Sequence, residues 1–426
     1  MSFRTIVDVT FTVVLTLYLL NVVPYLVLQV LFAERTHRRR EPPASALTPS
    51  VDIVIPCYNE DPRTLAECLN SIAAQDYPGV VHVHVVDDGS PNLAELETVY
   101  REYRERSGFR VIYLPENRGK RYAQTAAITT STAEIVVAVD SDTMIAPDGI
   151  RQLIAGLDDV LVGGVMGEML AANTRASWLT RLIDMRYWYA CNQERAAQSY
   201  FGAVLCCCGP FSAFRRDALE RVLDSYMDQT FRKRRSSYGE DRYLTSLVLR
   251  SGMRTAYVPR ARARTVVPPR IAPFLRQQLR WNRCTYRDMA GLARRLPSLG
   301  SYIALDAFTQ TFSPMLLALS SLLFVLRTVV SGPSGLVWFG AAMLGVALGY
   351  CAYGAWRTRD LRFLSFALYG AMHLFLLVPI RIKALFSLTD DRWGDRVSAR
   401  DRPADPRPLA TVPGGTACHP RPGTLS

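Results

Sequence analysis

Hydrophobic and polar positions change their period along this chain, and the changes divide it. Residues 6 to 33 are apolar apart from Asp8, Asn21 and Gln29, and exceed the ~20 residues that span a bilayer. No small-residue cleavage site follows, so the segment 1–34 is predicted to be a transmembrane anchor and not a removed signal. From 51 to 265 short β-branched runs alternate with helical patterns. "VDIVIP" precedes "PRTLAECLNSIAAQ", followed by "VVHVHVVDDGS", "LAELETVYREYRER", "RVIYLP", "KRYAQTAAITTS" and "EIVVAVDSD". Strand and helix repeated in this way predict an α/β domain, a mostly parallel sheet with helices on both faces. Within 266–300, "FLRQQLRWNRCTYRDM" sets Phe274, Leu275 and Leu279 beside arginines, the pattern of a helix lying at a membrane surface. The runs 315–330, 335–356 and 363–380 are again apolar, and predict about three transmembrane helices within 301–386.

Charge gives the membrane reading a direction. "ERTHRRRE" puts four arginines on one flank of the anchor against Arg4 on the other, which places the following domain in the cytoplasm and the amino terminus outside. Residues 35–50 read as a basic linker. Parity over three further spans would put the carboxyl end outside, whereas the arginine-rich segment after 381 argues for inside; the two readings stay open. The tail, 387–426, is Pro- and Arg-rich with little apolar content and is expected to be disordered.

Ligands of a parallel sheet bind beyond the carboxyl ends of its strands, and here those ends are chemically loaded. The first runs into Tyr58-Asn59-Glu60, the second into Asp87-Asp88-Gly89-Ser90, the third into Asn117-Arg118-Gly119-Lys120 and the fourth into Asp140-Ser141-Asp142. A single acidic strand end is ordinary, because Asp caps the helix that follows. Three acidic ends and a basic one in a single half-sheet are harder to dismiss. Asp140 and Asp142, two apart in an extended segment, would point to one side and could share a hard cation, Mg2+ or Mn2+, whose shell is completed by water and phosphate. A nucleoside diphosphate fits that arrangement, with Lys120 as a further positive charge and Asp87 or Asp88 toward the nucleoside.

The net charge of +12 has an unusual make-up, since only three of fifty basic residues are lysines, Lys120, Lys233 and Lys383. Nine cysteines include the run Cys206-Cys207-Cys208, without a CxxC pair or a histidine at ligand spacing, so the pattern indicates neither a zinc site nor a disulfide framework. A thiol nucleophile needs a nearby base, and none of the five histidines adjoins this run in sequence. The three cysteines read as small packing residues beside a loop.

Taken in order, "IVIPCYNED", "VVDDGS", "NRGKRYA", "DSD", "YGEDR" and "QQLRW" resemble the processive family 2 glycosyltransferases, the group of cellulose, chitin and hyaluronan synthases. The stretch "LTRLIDMRYWYACNQERAAQSYFGAVLCCCGP" is more closely similar to the nodulation protein C group, rhizobial chitooligosaccharide synthases. The resemblance implies a GT-A-like fold with transmembrane and interfacial helices. It also implies that Tyr58, Glu60, Asp87 and Asp88 hold the uridine, that Lys120 approaches the donor, and that Asp140 and Asp142 hold the sugar diphosphate through a divalent metal. Asp241 of Gly239-Glu240-Asp241 is the implied general base. Gln277, Arg280 and Trp281 supply a Gln-x-x-Arg-Trp motif that closes over the pyrophosphate and lines the acceptor site, with Cys208 and Phe211 nearby. Where related synthases often have tyrosine, this chain has Phe214.

The chemistry of joining sugars agrees with those roles, since it needs a base for the acceptor hydroxyl and a cation for the leaving diphosphate. The expected activity is a processive, inverting transfer of N-acetylglucosamine from its UDP carrier to a growing β-1,4 chitooligosaccharide, the backbone of nodulation signals, by a multi-pass protein of the bacterial inner membrane. Its partners would be UDP-N-acetylglucosamine, the oligosaccharide and the lipid bilayer, with no nucleic acid. Hyaluronan or another β-linked polysaccharide is the alternative product. A transporter or receptor with a nucleotide-binding domain is the alternative of another class, but it has no need of a base at Asp241 or of Gln-x-x-Arg-Trp.

Overall fold

The computed structural model describes residues 1–39, 48–232, 234–236 and 238–390. The expectations for the middle of the basic linker and for the tail beyond 390 lie outside the described residues.

Among the described residues ten strands are formed: β1 (Val51–Cys57), β2 (Val81–Asp87), β3 (Phe109–Tyr113), β4 (Ile135–Val139), β5 (Thr143–Ile145), β6 (Val162–Ala171), β7 (Phe211–Arg215), the two-residue β8 (Thr230–Phe231) and β9 (Arg234–Arg235), and β10 (Arg254–Thr265). Eight of them make one sheet in the order β3-β2-β1-β4-β7-β6-β10-β5. β1 is parallel to β2 and to β4, β2 to β3, and β6 to β10, whereas β7 runs antiparallel to both β4 and β6. The fold is the expected α/β one, GT-A-like, with a mostly parallel sheet and helices on its faces. All seven residues of β1 are buried, as befits a central strand covered on both sides. The chain moves from β1 outward to β3 and then returns to place β4 on the other flank of β1. That reversal opens a crevice at the carboxyl ends of β1 and β4, where open α/β sheets bind ligands.

Local sequence explains the elements that frame the crevice. Asp61 accepts the amide of Thr64 at 2.9 Å and Pro62 fills the first helical position, which starts the helix Pro62–Ala73 directly after β1. Gly119, at φ 95°, turns the chain into the helix Lys120–Thr130. Gly89 is required at its turn, because φ is +68° and a Cβ there would lie 2.6 Å from the carbonyl carbon of Glu116. Gly89→Ala should therefore cost ~1–3 kcal/mol and displace the segment after Glu116. A thermal midpoint equal to wild type would refute this.

Among the described residues four helices are long and apolar enough to cross a membrane: Phe3–Arg38, Ser301–Ser331, Gly335–Thr358 and Leu361–Phe386. Leu20, Leu322, Val337, Trp338 and Phe375 are among their large apolar side chains that remain exposed, where lipid would cover them. The three polar residues that interrupt the first apolar run each find a partner. Asp8 accepts from Arg327 Nε at 2.8 Å, Asn21 Oδ1 from the Ser313 hydroxyl at 2.6 Å, and Gln29 donates to the Tyr25 hydroxyl at 2.6 Å. Polar groups inside an apolar bundle are costly alone and tolerable in pairs. The first helix also continues to Arg38, four residues into what reads as linker, because its end docks on the sheet domain. Thr36 donates to the carbonyl of Ala196 at 2.7 Å, and His37 Nε2 lies 2.9 Å from the carbonyl of Asn192.

Candidate active site

The four loaded strand ends are tied to one another. Glu60 is buried and accepts the Ser141 hydroxyl at 2.9 Å, which joins the loop after β1 to the one after β4. Asn59, in the left-handed region at φ 49°, donates its amide to the Ser90 hydroxyl at 3.0 Å. Asn92 donates to the carbonyl of Glu60 at 2.8 Å. Asp88 accepts the amides of Arg118 and Gly119 at 2.9 and 2.8 Å, so the loop after β2 holds the turn that leads to Lys120. Asp87 accepts from the Ser90 amide at 2.8 Å and the Tyr100 hydroxyl at 2.7 Å. Asp87 and Asp88 thus hold the walls of the crevice, a task their sequence pattern does not reveal. Burial raises the Asp88 pKa above the usual carboxylate value, against the opposing pull of the two amides.

Asp140 and Asp142 belong to one four-residue turn, closed by the Thr143 amide on the Asp140 carbonyl at 3.0 Å, rather than to an extended strand. β5 begins at Thr143 and must reverse direction to reach β10, which forces the turn. A positive group does lie against Asp140: Lys120 Nζ is 2.5 Å from Asp140 Oδ1 and 3.3 Å from Glu240 Oε1. Burial alone would lower the Lys120 pKa, but Asp140, Glu240 and Asp241 together drive it well above the ordinary lysine range, so the ammonium stays charged. Asp142 Oδ1 accepts the Thr265 hydroxyl at 3.1 Å.

Asp241 lies on the second turn-residue of the helix Glu240–Arg250, whose start is set by Gly239 in the left-handed region. Its Oδ2 accepts the Gly209 amide at 3.2 Å and its Oδ1 the Arg242 amide at 2.7 Å. Cys206 Sγ approaches Oδ2 at 3.8 Å. Burial and then the neighbouring Glu240 raise the Asp241 pKa, whereas Lys120 pulls it down. Gly209 is where these groups meet, for a Cβ there would lie 2.7 Å from Lys120 Nζ, 3.7 Å from Asp241 Cβ and 3.8 Å from Asp140 Oδ1. Sequence reasoning missed Gly209 and Glu240. The Gly-Pro pair after three cysteines, and the acid preceding Asp241, are the signals that were available.

The Gln-x-x-Arg-Trp residues lie on the helix Ile271–Leu292, with Trp281 40% exposed and Gln277 and Arg280 partly buried. Cys284, one turn beyond Trp281, packs on Gly239, where an added Cβ would come within 2.6 Å of Sγ. This contact sets the motif helix against the Asp241 loop. Tyr58 is partly buried at the mouth of β1. Cys208 is partly buried, and a hydrogen bond from Cys206 together with Arg195 lowers its thiol pKa in spite of burial. Phe211, expected near the acceptor, is fully buried in β7 instead, pressed against Gly167 and Gly149 in the core. It has no surface to offer a sugar. Phe214 is likewise buried, packed on Gly164.

Residues 52–223 match the family model described as glycosyl transferase family 2. The chain is 49% identical to an N-acetylglucosaminyltransferase of Mesorhizobium japonicum over 84% of either chain, and 44% identical to one of Rhizobium leguminosarum bv. viciae over 97% of this chain and 98% of that one. The chain belongs to glycosyl transferase family 2. It is accordingly an enzyme, a hexosyltransferase. Its fold is also that of a mannosyltransferase from Pyrobaculum calidifontis, solved in complex with GDP-Man and Mn2+, with a TM-score of 0.62 at 22% identity over 85% of this chain and 98% of that one. Membership of the family implies a nucleotide-sugar donor and an acceptor sugar.

Among the described residues no three His, Cys, Asp or Glu side chains are gathered to hold a metal. The two carboxylates of the Asp140–Asp142 turn, oxygen ligands at a crevice open to substrate, nevertheless suit a magnesium or manganese ion that takes the rest of its shell from phosphate and water.

Proposed function

We propose that this family 2 enzyme transfers N-acetylglucosamine from UDP-N-acetylglucosamine to a growing β-1,4 chitooligosaccharide with inversion, as a synthase of the nodulation protein C type. The observation that carries the reading is the meeting of Asp241, Lys120 and Asp140 around Gly209, which puts a base and a fixed positive charge at one crevice. The names of the rhizobial relatives support the sugar.

In this reading Asp241 takes the proton of the acceptor hydroxyl. Its raised pKa makes it a better base than an exposed aspartate, and the Gly209 and Arg242 amides fix its orientation. Asp140 and Asp142 hold Mg2+ or Mn2+, which when bound stabilises the negative charge of the leaving diphosphate. Lys120 adds a permanent positive charge on the same side, held by Asp140 and Glu240. Tyr58, Glu60, Asp87 and Asp88 shape the nucleoside end of the crevice. Gln277 and Arg280 face the diphosphate, and Trp281, partly exposed on a helix at the membrane surface, offers a flat ring to the acceptor pyranose. The domain 51–265 faces the cytoplasm of a bacterial inner-membrane protein.

Incubating membranes that contain the protein with labelled UDP-sugars tests the donor. Mass spectrometry of the products from UDP-N-acetylglucosamine alone is expected to show chains of a few sugars, with length set by the acceptor wall around Trp281 and Cys208. High polymer, or a strict demand for UDP-glucuronate, would instead support a polysaccharide synthase.

A further inference from the structure

Both ends of the last apolar segment, Leu361–Phe386, lie against the sheet domain. At its start Arg362 Nη1 is 3.0 Å from Asp184 Oδ2, and Asp184 in turn accepts the amide of Ala171, at the end of β6, at 3.0 Å. The Phe363 ring stands edge-on to Trp188, with centroids 5.0 Å apart. The preceding helix, Gly335–Thr358, finishes on the same side, because Arg357 and Tyr353 reach Glu34 near the docked end of the first helix, at 3.0 and 3.1 Å. After Phe386 the chain meets the Gln-x-x-Arg-Trp helix. Arg283 Nε donates to the Ser387 hydroxyl and its Nη2 to Asp390 Oδ2, both at 3.0 Å, while Arg287 donates to the carbonyls of Leu388 and Asp390 at 2.7 and 2.9 Å. The Tyr238 hydroxyl, just before Gly239-Glu240-Asp241, donates to the same Asp390 carbonyl at 2.6 Å. Arg283 and Arg287 are 6% and 7% exposed, and buried guanidinium groups are tolerated only with such partners.

A segment that crosses the ~30 Å hydrocarbon core once leaves its ends on opposite faces. This one is broken instead of straight. A 3-10 turn (Leu361–Phe366) and a short helix (Ala367–Met372) lead into a π-turn (His373–Leu377), followed by the helix Val378–Phe386 with Pro379 in its first turn. Such turns and prolines are the usual sites of a sharp bend. Its middle reaches the bundle interior, where Leu374 and Val378 pack with Phe11, Tyr18 and Leu317. We propose that the last apolar segment re-enters the membrane from the sheet-domain side instead of crossing it, and that Arg283, Arg287 and Asp390 are positioning residues for transfer, which use residues 387–390 to fix the Gln-x-x-Arg-Trp helix against the loop carrying Asp241. The arginine-rich segment after 381, and not the parity of spans, then sets the side of the carboxyl end. Held in this way, Trp281 and Asp241 keep one geometry toward the acceptor, whereas the donor crevice between β1 and β4 is built without the strap.

The test uses the full chain in its membrane and has two arms. In the first, an epitope is added after Ser426, and trypsin is applied to intact spheroplasts and to inverted vesicles. Epitope and sheet domain are expected to be digested in the same preparation. In the second, Arg283→Gln and Asp390→Asn should each lower kcat by about ten- to a hundred-fold, the scale of a small misplacement of reacting groups, with the Kd of UDP-N-acetylglucosamine unchanged. The double variant should be no worse than Arg283→Gln alone, because residues that act through one contact are not additive, and Asp390→Glu should recover most of the wild-type kcat. An epitope digested in the preparation where the sheet domain survives overturns the proposal. So do single variants with wild-type kcat, effects that multiply in the double variant, or donor affinity falling in proportion to rate. The second arm rests on the N-acetylglucosaminyl transfer proposed above; digestion is read without any sugar, so a wrong donor and a wrong topology give different results.

Discussion

Asp241→Asn is expected to lower turnover by ~100-fold or more, the scale of removing a positioned general base, while UDP-N-acetylglucosamine binds with near-normal affinity. The substitution keeps shape and leaves an oxygen for the Gly209 or the Arg242 amide, so the loop around Gly209 should hold. What disappears is a carboxylate whose basicity burial and Glu240 have raised. The direction of that shift also fixes a pH dependence. Below its raised pKa Asp241 is protonated and cannot accept the acceptor's proton, so kcat/KM should fall toward acid at a pH above the ordinary aspartate value of 3.8. Donor affinity and rate falling in proportion would make Asp241 a binding residue.

Asp140→Asn should reduce transfer to about one part in a hundred or less, the order seen when a charge-stabilising group is removed from an active site. Two effects combine there, because Asp140 is proposed as a metal ligand and is also the nearer counter-ion of Lys120. Asp142→Asn separates them, since Asp142 accepts the Thr265 hydroxyl whereas the Lys120 ammonium is paired with Asp140 and Glu240. If the metal dominates, the two variants should be equally inactive and EDTA should silence the wild type. Circular dichroism and size-exclusion profiles should stay unchanged, because both side chains lie on a turn outside the core. Full activity in EDTA would remove the metal from the reaction.

Periodicity along the chain was enough for the alternation of strand and helix, for the apolar runs that become four long helices, and for the strand ends as the place to search. These are local properties: a strand's β-branched run and a span's apolar length are written in consecutive residues. Family motifs added the candidate base and the Gln-x-x-Arg-Trp helix. What the sequence could not carry was the pairing of groups far apart along it. Glu60 meets Ser141, Lys120 meets Glu240, and the Gly209 amide meets Asp241 only because the order β2-β1-β4-β7 brings their loops to one edge. The Asp140–Asp142 turn exists because β5 must reverse to reach β10, and Phe211 turns inward because β7 runs through the centre of the sheet. Residue type fixes which groups can do chemistry, whereas strand order and register, set by packing across the whole sheet, decide which of them meet.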